Sequence, residues 1–305
     1  FGSSKLRRTQ KTNFGADERT GHPDARKTMK TTMVSVVAMV VAIVTVASAH
    51  HYPPAPTHSP VPTPYEPPHP VCSLPYFWGT VNGRANRAGN LVYSVEYFKR
   101  ILGGHDNRNY KGPLDGGYRW INWDDHDIPF EFPRHYFNHY KGVTFSSDHK
   151  EFRVSNPYYG QYTHDRRFST INRSESKNFI TYTRKRLFTP IHDNEFTVRW
   201  VIPGKRSKAL VRGFGAVFVG VDKPHTTKVV AYDIHGCKIA EEYVAPFEDG
   251  LSFLGIHFER AIIAKIEIVL GNRAINYHHY CGKRCGEDVV VVDDIYFSEP
   301  VRAYK

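Results

Sequence analysis

The stretch VVVVDDIYFSEP, residues 289–300, decides how this chain folds. Val289, Val290, Val291 and Val292 read as a strand with apolar residues on both faces, because successive side chains leave a strand on opposite sides. Asp293 and Asp294 then follow inside the same run. Unbroken alternation would give one carboxylate to the Val289/Val291/Ile295/Phe297 face and the other to the Val290/Val292/Tyr296 face. At least one must then point toward a core, where a carboxylate is costly without a partner.

Working outward, the same kind of segment recurs. GVTFS (142–146), EFRVS (151–155), NFITYT (178–183), EFTVRWVI (195–202), GFGAVFVGV (213–221), TKVVAYD (227–233), KIAEEYV (238–244), LSFLGIHF (251–258) and AKIEIVL (264–270) are short apolar or alternating runs bounded by turn residues. In EFTVRWVI, Phe196, Val198, Trp200 and Ile202 alternate with Thr197 and Arg199, the period of a half-buried strand. Asp233-Ile-His-Gly-Cys237 sits between two runs as a hairpin loop. No long amphipathic helix interrupts the series. The pattern predicts an all-β fold over 118–300, an antiparallel β-sandwich of the jelly-roll kind. Residues 72–117 are expected to pack on it as an extension. LVYSVEYFKRIL (91–102) there suits a helix stopped by Gly103 and Gly104, and its β-formers suit a strand as well. Residues 301–305 are a tail.

The N-terminal quarter has a different composition. Met29 opens an apolar stretch that ends in Ala47-Ser-Ala49, the build of a secretory signal peptide over 29–49. Residues 1–28 are polar and basic and stand outside the fold as an upstream extension. HHYPPAPTHSPVPTPYEPPHP (50–70) is so rich in proline that polyproline II is its default, making 50–71 a disordered, semi-rigid linker. Export predicts a secreted, extracellular chain with no membrane span once the leader is removed. The exported part keeps 33 basic and 27 acidic residues, a net charge of +6 against +11 for the whole chain. No basic helix or stripe accompanies that charge, so nucleic acid is not an expected partner. Lys205-Arg-Ser-Lys208 and Arg184-Lys-Arg186 read as solvated loop charges.

Cys72, Cys237, Cys281 and Cys285 all lie after the leader, and an even number in an oxidising route predicts two disulfides in any of three connectivities. Asn172-Arg-Ser174 is an N-glycosylation sequon and places Asn172 in an outer loop.

The strand and turn motifs INWDD (121–125), LFTPI (187–191), GFGAVFVGVD (213–222), GLSFLGIHF (250–258) and DVVVVDDIYFSEP (288–300) carry a resemblance. They resemble a group of secreted, largely uncharacterised bacterial β-sandwich proteins and, more loosely, the galactose-binding-like jelly rolls of carbohydrate-binding modules. The second resemblance implies a structural Ca2+ held by an aspartate of the closing strand, Asp293 or Asp294, with Asp124, Asp125 and Asp222 as further oxygen donors. The alternative is that backbone amides or an arginine such as Arg212 hold one aspartate while the other faces water.

A sugar-binding face needs flat rings and a few hydrogen-bonding groups. Trp120 and Trp123, Tyr136 and Tyr140, and the loop with Tyr158, Tyr159, Tyr162, Asp165 and Arg166 are the candidates; Trp123 and the tyrosine loop form the expected ligand site. The sequence has no HExxH, GxSxG or phosphate loop. The expectation is a secreted, non-catalytic protein that binds glycan or extracellular matrix. A structural coat, matrix or filament subunit capable of self-association is the alternative, and a polysaccharide-degrading enzyme the second.

Overall fold

In the computed structural model the described residues are Cys72, 78–125, 127–155, 167–169, 171–172, 179–276 and 285–303. They form β1 (Trp78–Ala85), α1 (Ala88–Ile101), β2 (Tyr118–Ile121), β3 (Val143–Ser146), β4 (Phe152–Val154), β5 (Phe188–Pro190) and β6 (Glu195–Val201). These are followed by β7 (Lys208–Leu210), β8 (Gly213–Val219), β9 (Lys228–Tyr232), β10 (Lys238–Tyr243), β11 (Leu251–Phe258), β12 (Lys265–Val269), β13 (Val291–Ser298) and β14 (Val301–Arg302).

Two antiparallel sheets face each other. The first runs β1-β11-β8-β13-β5-β4, with β2 also paired to β13; the second runs β10-β9-β12-β6-β7-β14, with β3 paired to β6. From β8 onward the chain passes back and forth between the sheets, with the β9–β10 hairpin kept in the second. The inter-sheet core takes Phe196, Val198 and Trp200 from β6, Ile266 and Ile268 from β12, Phe214, Ala216 and Phe218 from β8, and Ile295 and Phe297 from β13. Each such valine, isoleucine or phenylalanine side chain, fully buried, contributes about 1.5–3 kcal/mol.

β8 and β13 are buried along their whole length. The first sheet therefore needs a cover on its outer face too, and α1 is part of it. Leu91, Val95, Phe98 and Leu102 recur at helical spacing and pack with Val217, Leu251, Phe253 and Tyr296 in a second apolar cluster. Lys99 and Arg100 in the last turn suit the helix dipole. Gly103 and Gly104, both at positive φ, end the helix, with their amides donating to the Arg100 and Lys99 carbonyls. Of the two readings open for 91–102, the helix is the one adopted, because only its period of 3.6 aligns these four residues on one side.

The sheet also reaches further toward the N-terminus than residue 118. β1 pairs residue for residue with β11 from Trp78↔Phe258 to Ala85↔Leu251, within the stretch expected to be an extension lying on the sandwich. Its sequence, WGTVNGRA, is too glycine- and polar-rich for periodicity to reveal it. NFITYT departs the other way: its described residues 179–183 form no strand. The Tyr182 and Thr183 amides bond to a carboxylate instead of a neighbouring strand.

Residues 105–117 are fixed by one ion pair. Arg119 on β2 and Glu299 after β13 are both buried and meet at 2.7 Å. The guanidinium also donates to the Tyr110 and Tyr140 carbonyls, and Glu299 accepts from the Asn107 amide. Cys72 and Cys237 are disulfide-bonded across 165 residues, tying the chain before β1 to the β9–β10 hairpin. Cys285 is disulfide-bonded as well, and Cys281 lies outside the described residues.

The helix packs tightly on the sheet where Gly215 on β8 pairs with Gly255 on β11. A Cβ at Gly255 would sit 2.5 Å from the Phe98 ring, and one at Gly215 2.6 Å from it. The two glycines form the notch that receives Phe98. Gly255→Val should therefore cost about 1–3 kcal/mol by overpacking. Combined with Phe98→Ala it should cost far less than the sum of the two single changes, read from urea midpoints. Strict additivity would show that the notch does not seat the ring.

Candidate functional site

Asp293 and Asp294 lie at a break in register. β13 pairs with β8 at Val292↔Phe218 and again at Ile295↔Ala216, so two residues of β13 stand opposite Val217 alone. This is a β-bulge, and it shifts the parity of everything after it. Val290, Val292, Ile295 and Phe297 share the inter-sheet core, while Val289, Val291 and Tyr296 share the outer cluster. The faces expected from unbroken alternation are thus wrong beyond residue 292.

Both carboxylates turn to one place. The Thr183 hydroxyl lies 3.0 Å from Asp293 Oδ1 and 3.0 Å from Asp294 Oδ1. Asp293 Oδ2 accepts from the Tyr182 amide at 2.7 Å, and Asp294 Oδ2 from the Tyr296 hydroxyl at 2.9 Å. On the core side, the Asp293 carbonyl left over by the bulge accepts the Trp123 indole N–H. Neither aspartate is exposed. Burial pushes the Asp293 carboxyl up to about 7, against the pull of the Tyr182 amide and Thr183 hydroxyl. Burial and the neighbouring Asp293 charge push Asp294 well above its usual range.

These contacts answer which partner the aspartates have: amides and hydroxyls. Arg212 is not among those partners; its guanidinium donates to the Ile101 carbonyl at the end of α1. They also bear on calcium, which takes six to eight oxygens. Here amide and hydroxyl groups face the carboxylates, a single Thr183 hydroxyl hydrogen lies between Asp293 Oδ1 and Asp294 Oδ1, and burial favours a protonated carboxyl. Asp124 is close by, with both oxygens 3.2 Å from the Lys185 amide. Asp222 belongs to a different cluster, where it accepts from the Asp249 amide and its own amide donates to Asp288. Among the described residues no group of three or more His, Cys, Asp or Glu is placed to hold a metal ion.

Trp123 is a correction. It is fully buried, stacked 4.4 Å from Phe188 and ringed by Phe132, Phe137 and Phe145, so it presents no face to a sugar. Tyr158, Tyr159, Tyr162, Asp165 and Arg166 lie outside the described residues. Asn172 is 5% exposed, and its side-chain amide donates to the Asn276 carbonyl at 3.4 Å, an orientation that a glycan on that nitrogen would have to displace.

The second sheet is different. Its outward residues are half-buried or exposed on β6, β7, β9 and β12, with the exception of Val230. Arg199, Lys265 and Tyr232 stand in one transverse row and Thr197, Glu267 and Val230 in the next. Three lysines on this face are matched. Lys228 and Lys238 both bind Glu241, at 2.8 and 2.6 Å, and these bonds hold the Glu241 carboxyl down at about 2. Lys265 binds Glu267 and lies 3.7 Å above the Tyr232 ring.

At one end of this face a groove of about 270 Å3 opens between the β9–β10 turn and the β6–β7 hairpin. Leu210, Ile234 and the Tyr232 ring give it apolar walls, and Arg199, Lys208 and Lys265 supply hydrogen-bond donors. Trp200 also lines it, with its indole N–H buried and without a partner among the described residues. The alternation in EFTVRWVI and TKVVAYD tells which residues face outward. It cannot tell that β6, β12 and β9 are neighbours, which is what brings Arg199, Lys265 and Tyr232 together.

No protein-family profile matches the chain, and no curated protein matches it. Among solved structures the chain is similar to TmCBM61 in complex with β-1,4-galactotriose, at 12% identity and a TM-score of 0.25, over 60% of this chain and 99% of that one.

The aspartate pair makes stability depend on pH in a defined direction. Both carboxyls hold a proton more tightly in the folded chain than in the unfolded one. Their contribution is complete below the ordinary value of 3.8; the Asp293 share is lost as pH rises through about 7, and the Asp294 share as pH rises through its own raised value. Thermal unfolding should therefore show a Tm that falls by roughly 5–10 °C between pH 5 and pH 9. Asp294→Asn, which removes one ionisation and keeps the shape, should flatten most of that slope. Equal slopes in the two proteins would show that the pair is not the titrating group.

Proposed function

We propose that this chain is an exported, non-catalytic glycan-binding β-sandwich that takes a sugar in the groove on the outer face of its second sheet. The groove carries the reading. It joins a tyrosine ring and apolar walls to a few convergent donors, the combination that orients a sugar by stacking and by bonds to its hydroxyls. Its volume lies at the low end for small-molecule sites, room for a terminal sugar more than for a long run of chain.

The solvent-facing carboxylates support binding over hydrolysis. A glycosidase needs two carboxyl groups at least about 5 Å apart across the scissile bond. Glu195 and Glu267 are hydrogen-bonded to each other, with the Glu195 carboxyl raised by burial and by Glu267, and Glu241 is committed to two lysines. The Cys72–Cys237 disulfide supports an oxidising destination.

A glycan array probed with the full chain should show saccharide binding that Tyr232→Ala or Arg199→Ala lowers at least tenfold, while Tyr93→Ala on the exposed face of α1 leaves it unchanged. Absence of binding together with ordered self-assembly would favour a structural coat or matrix subunit. Release of reducing ends from a polysaccharide, lost on substitution of one carboxylate, would establish an enzyme.

A further inference from the structure

Among the described residues of the second sheet, the lysines of β9, β10 and β12 are paired with carboxylates and the cations of the β6–β7 hairpin are not. Lys228, Lys238 and Lys265 each have a carboxylate within 3.1 Å. Arg199, Lys205, Arg206 and Lys208 have none among the described residues, and all four are exposed. Among the described residues the Arg199 guanidinium donates to the Thr197 hydroxyl.

The hairpin holds these cations between two concavities. On one side lies the groove with Arg199, Lys208 and Tyr232. On the other lies a cleft of about 650 Å3 lined by His135, Asn138, His139, Thr144, Lys205 and Arg206. Gly204, at positive φ, makes the turn that places Lys205 and Arg206 at the hairpin tip, and its amide donates to the Asn138 carbonyl at the cleft wall. Asp233 is the acid lining the groove. Its Oδ1 accepts from the His235 and Cys237 amides within its own turn, so it is committed to the hairpin.

Four like charges within one hairpin repel one another, and an anion lying across them relieves that repulsion as well as gaining its own attraction. A neutral sugar would need the ring and the donors but not this surplus. Two hollows flanking the same basic ridge suit a chain with charged groups on more than one of its units.

We infer that the ligand of this face is an acidic polysaccharide, bearing uronate carboxylates or sulfate esters, laid across the β6–β7 hairpin with a sugar in the groove and further anionic units against Lys205 and Arg206. The inference rests on the glycan-binding reading and adds the charge class and the second subsite.

The test compares three immobilised probes with the full chain: an unsubstituted galactan, the same galactan carrying sulfate esters, and polygalacturonate. At least one acidic probe should bind about tenfold or more tightly than the neutral one, with affinity falling steeply as salt rises. Which acidic probe is preferred separates sulfate from carboxylate. The double change Lys205→Glu, Arg206→Glu should remove that preference, whereas Lys238→Glu, on the same sheet but already paired, should leave it. Equal binding of neutral and acidic probes would overturn this inference while leaving the glycan-binding reading in place. Equal losses for both variants would reduce the preference to net charge and overturn the site. Absence of binding to all three probes, joined to an empty glycan array, would overturn both.

Discussion

Eight consecutive buried residues in β13 set the terms for the rest of the molecule. A strand with no wet side must sit centrally in its sheet and be covered above and below. The inter-sheet core supplies one cover; α1 and the segments around Phe168, Phe179 and Leu187 supply the other. The first sheet thereby becomes the middle of three layers. The glycine notch for Phe98 and the Arg119–Glu299 anchor both serve that layering, the one by admitting the helix and the other by fixing the chain between helix and β2.

The aspartate pair belongs to the same logic. A bulge in a fully buried strand leaves one carbonyl without a ladder partner and sends two adjacent side chains to one side. The Trp123 indole takes the carbonyl, and the Tyr182–Thr183 turn and the Tyr296 hydroxyl take the carboxylates. The pair secures a loop to the outer face of the first sheet, at the cost of ionisations that burial opposes. With that sheet covered on both sides, the outer face of the second is, among the described residues, an extended strand surface open to a ligand, and its paired lysines make the basic hairpin stand out.

Much of this was legible in the chain. Alternation such as that of Phe196, Val198 and Trp200 marked the central strands because each one buries a single face. β1, with two glycines, and β5, three residues long, carry too little pattern to be seen that way. The bulge at residues 293–294 has no periodic signature either, and without it the faces beyond Val292 come out reversed. Trp123 shows the limit for ligand sites: an aromatic beside two aspartates reads equally as a sugar platform or as a core ring, and only its packing on Phe188 distinguishes them. The groove was beyond reach for another reason, since Arg199, Lys265 and Tyr232 become neighbours only through strand order.

The proposed recognition lies on the outer face of the second sheet and not at the buried carboxylates. Backbone amide chemical-shift mapping during titration with an acidic galactan tests it most directly. The shifts should gather on Arg199, Lys205–Lys208, Tyr232 and Lys265 while β13 and α1 stay still. Shifts centred on Asp293, Asp294 and Thr183, with the second sheet silent, would contradict it.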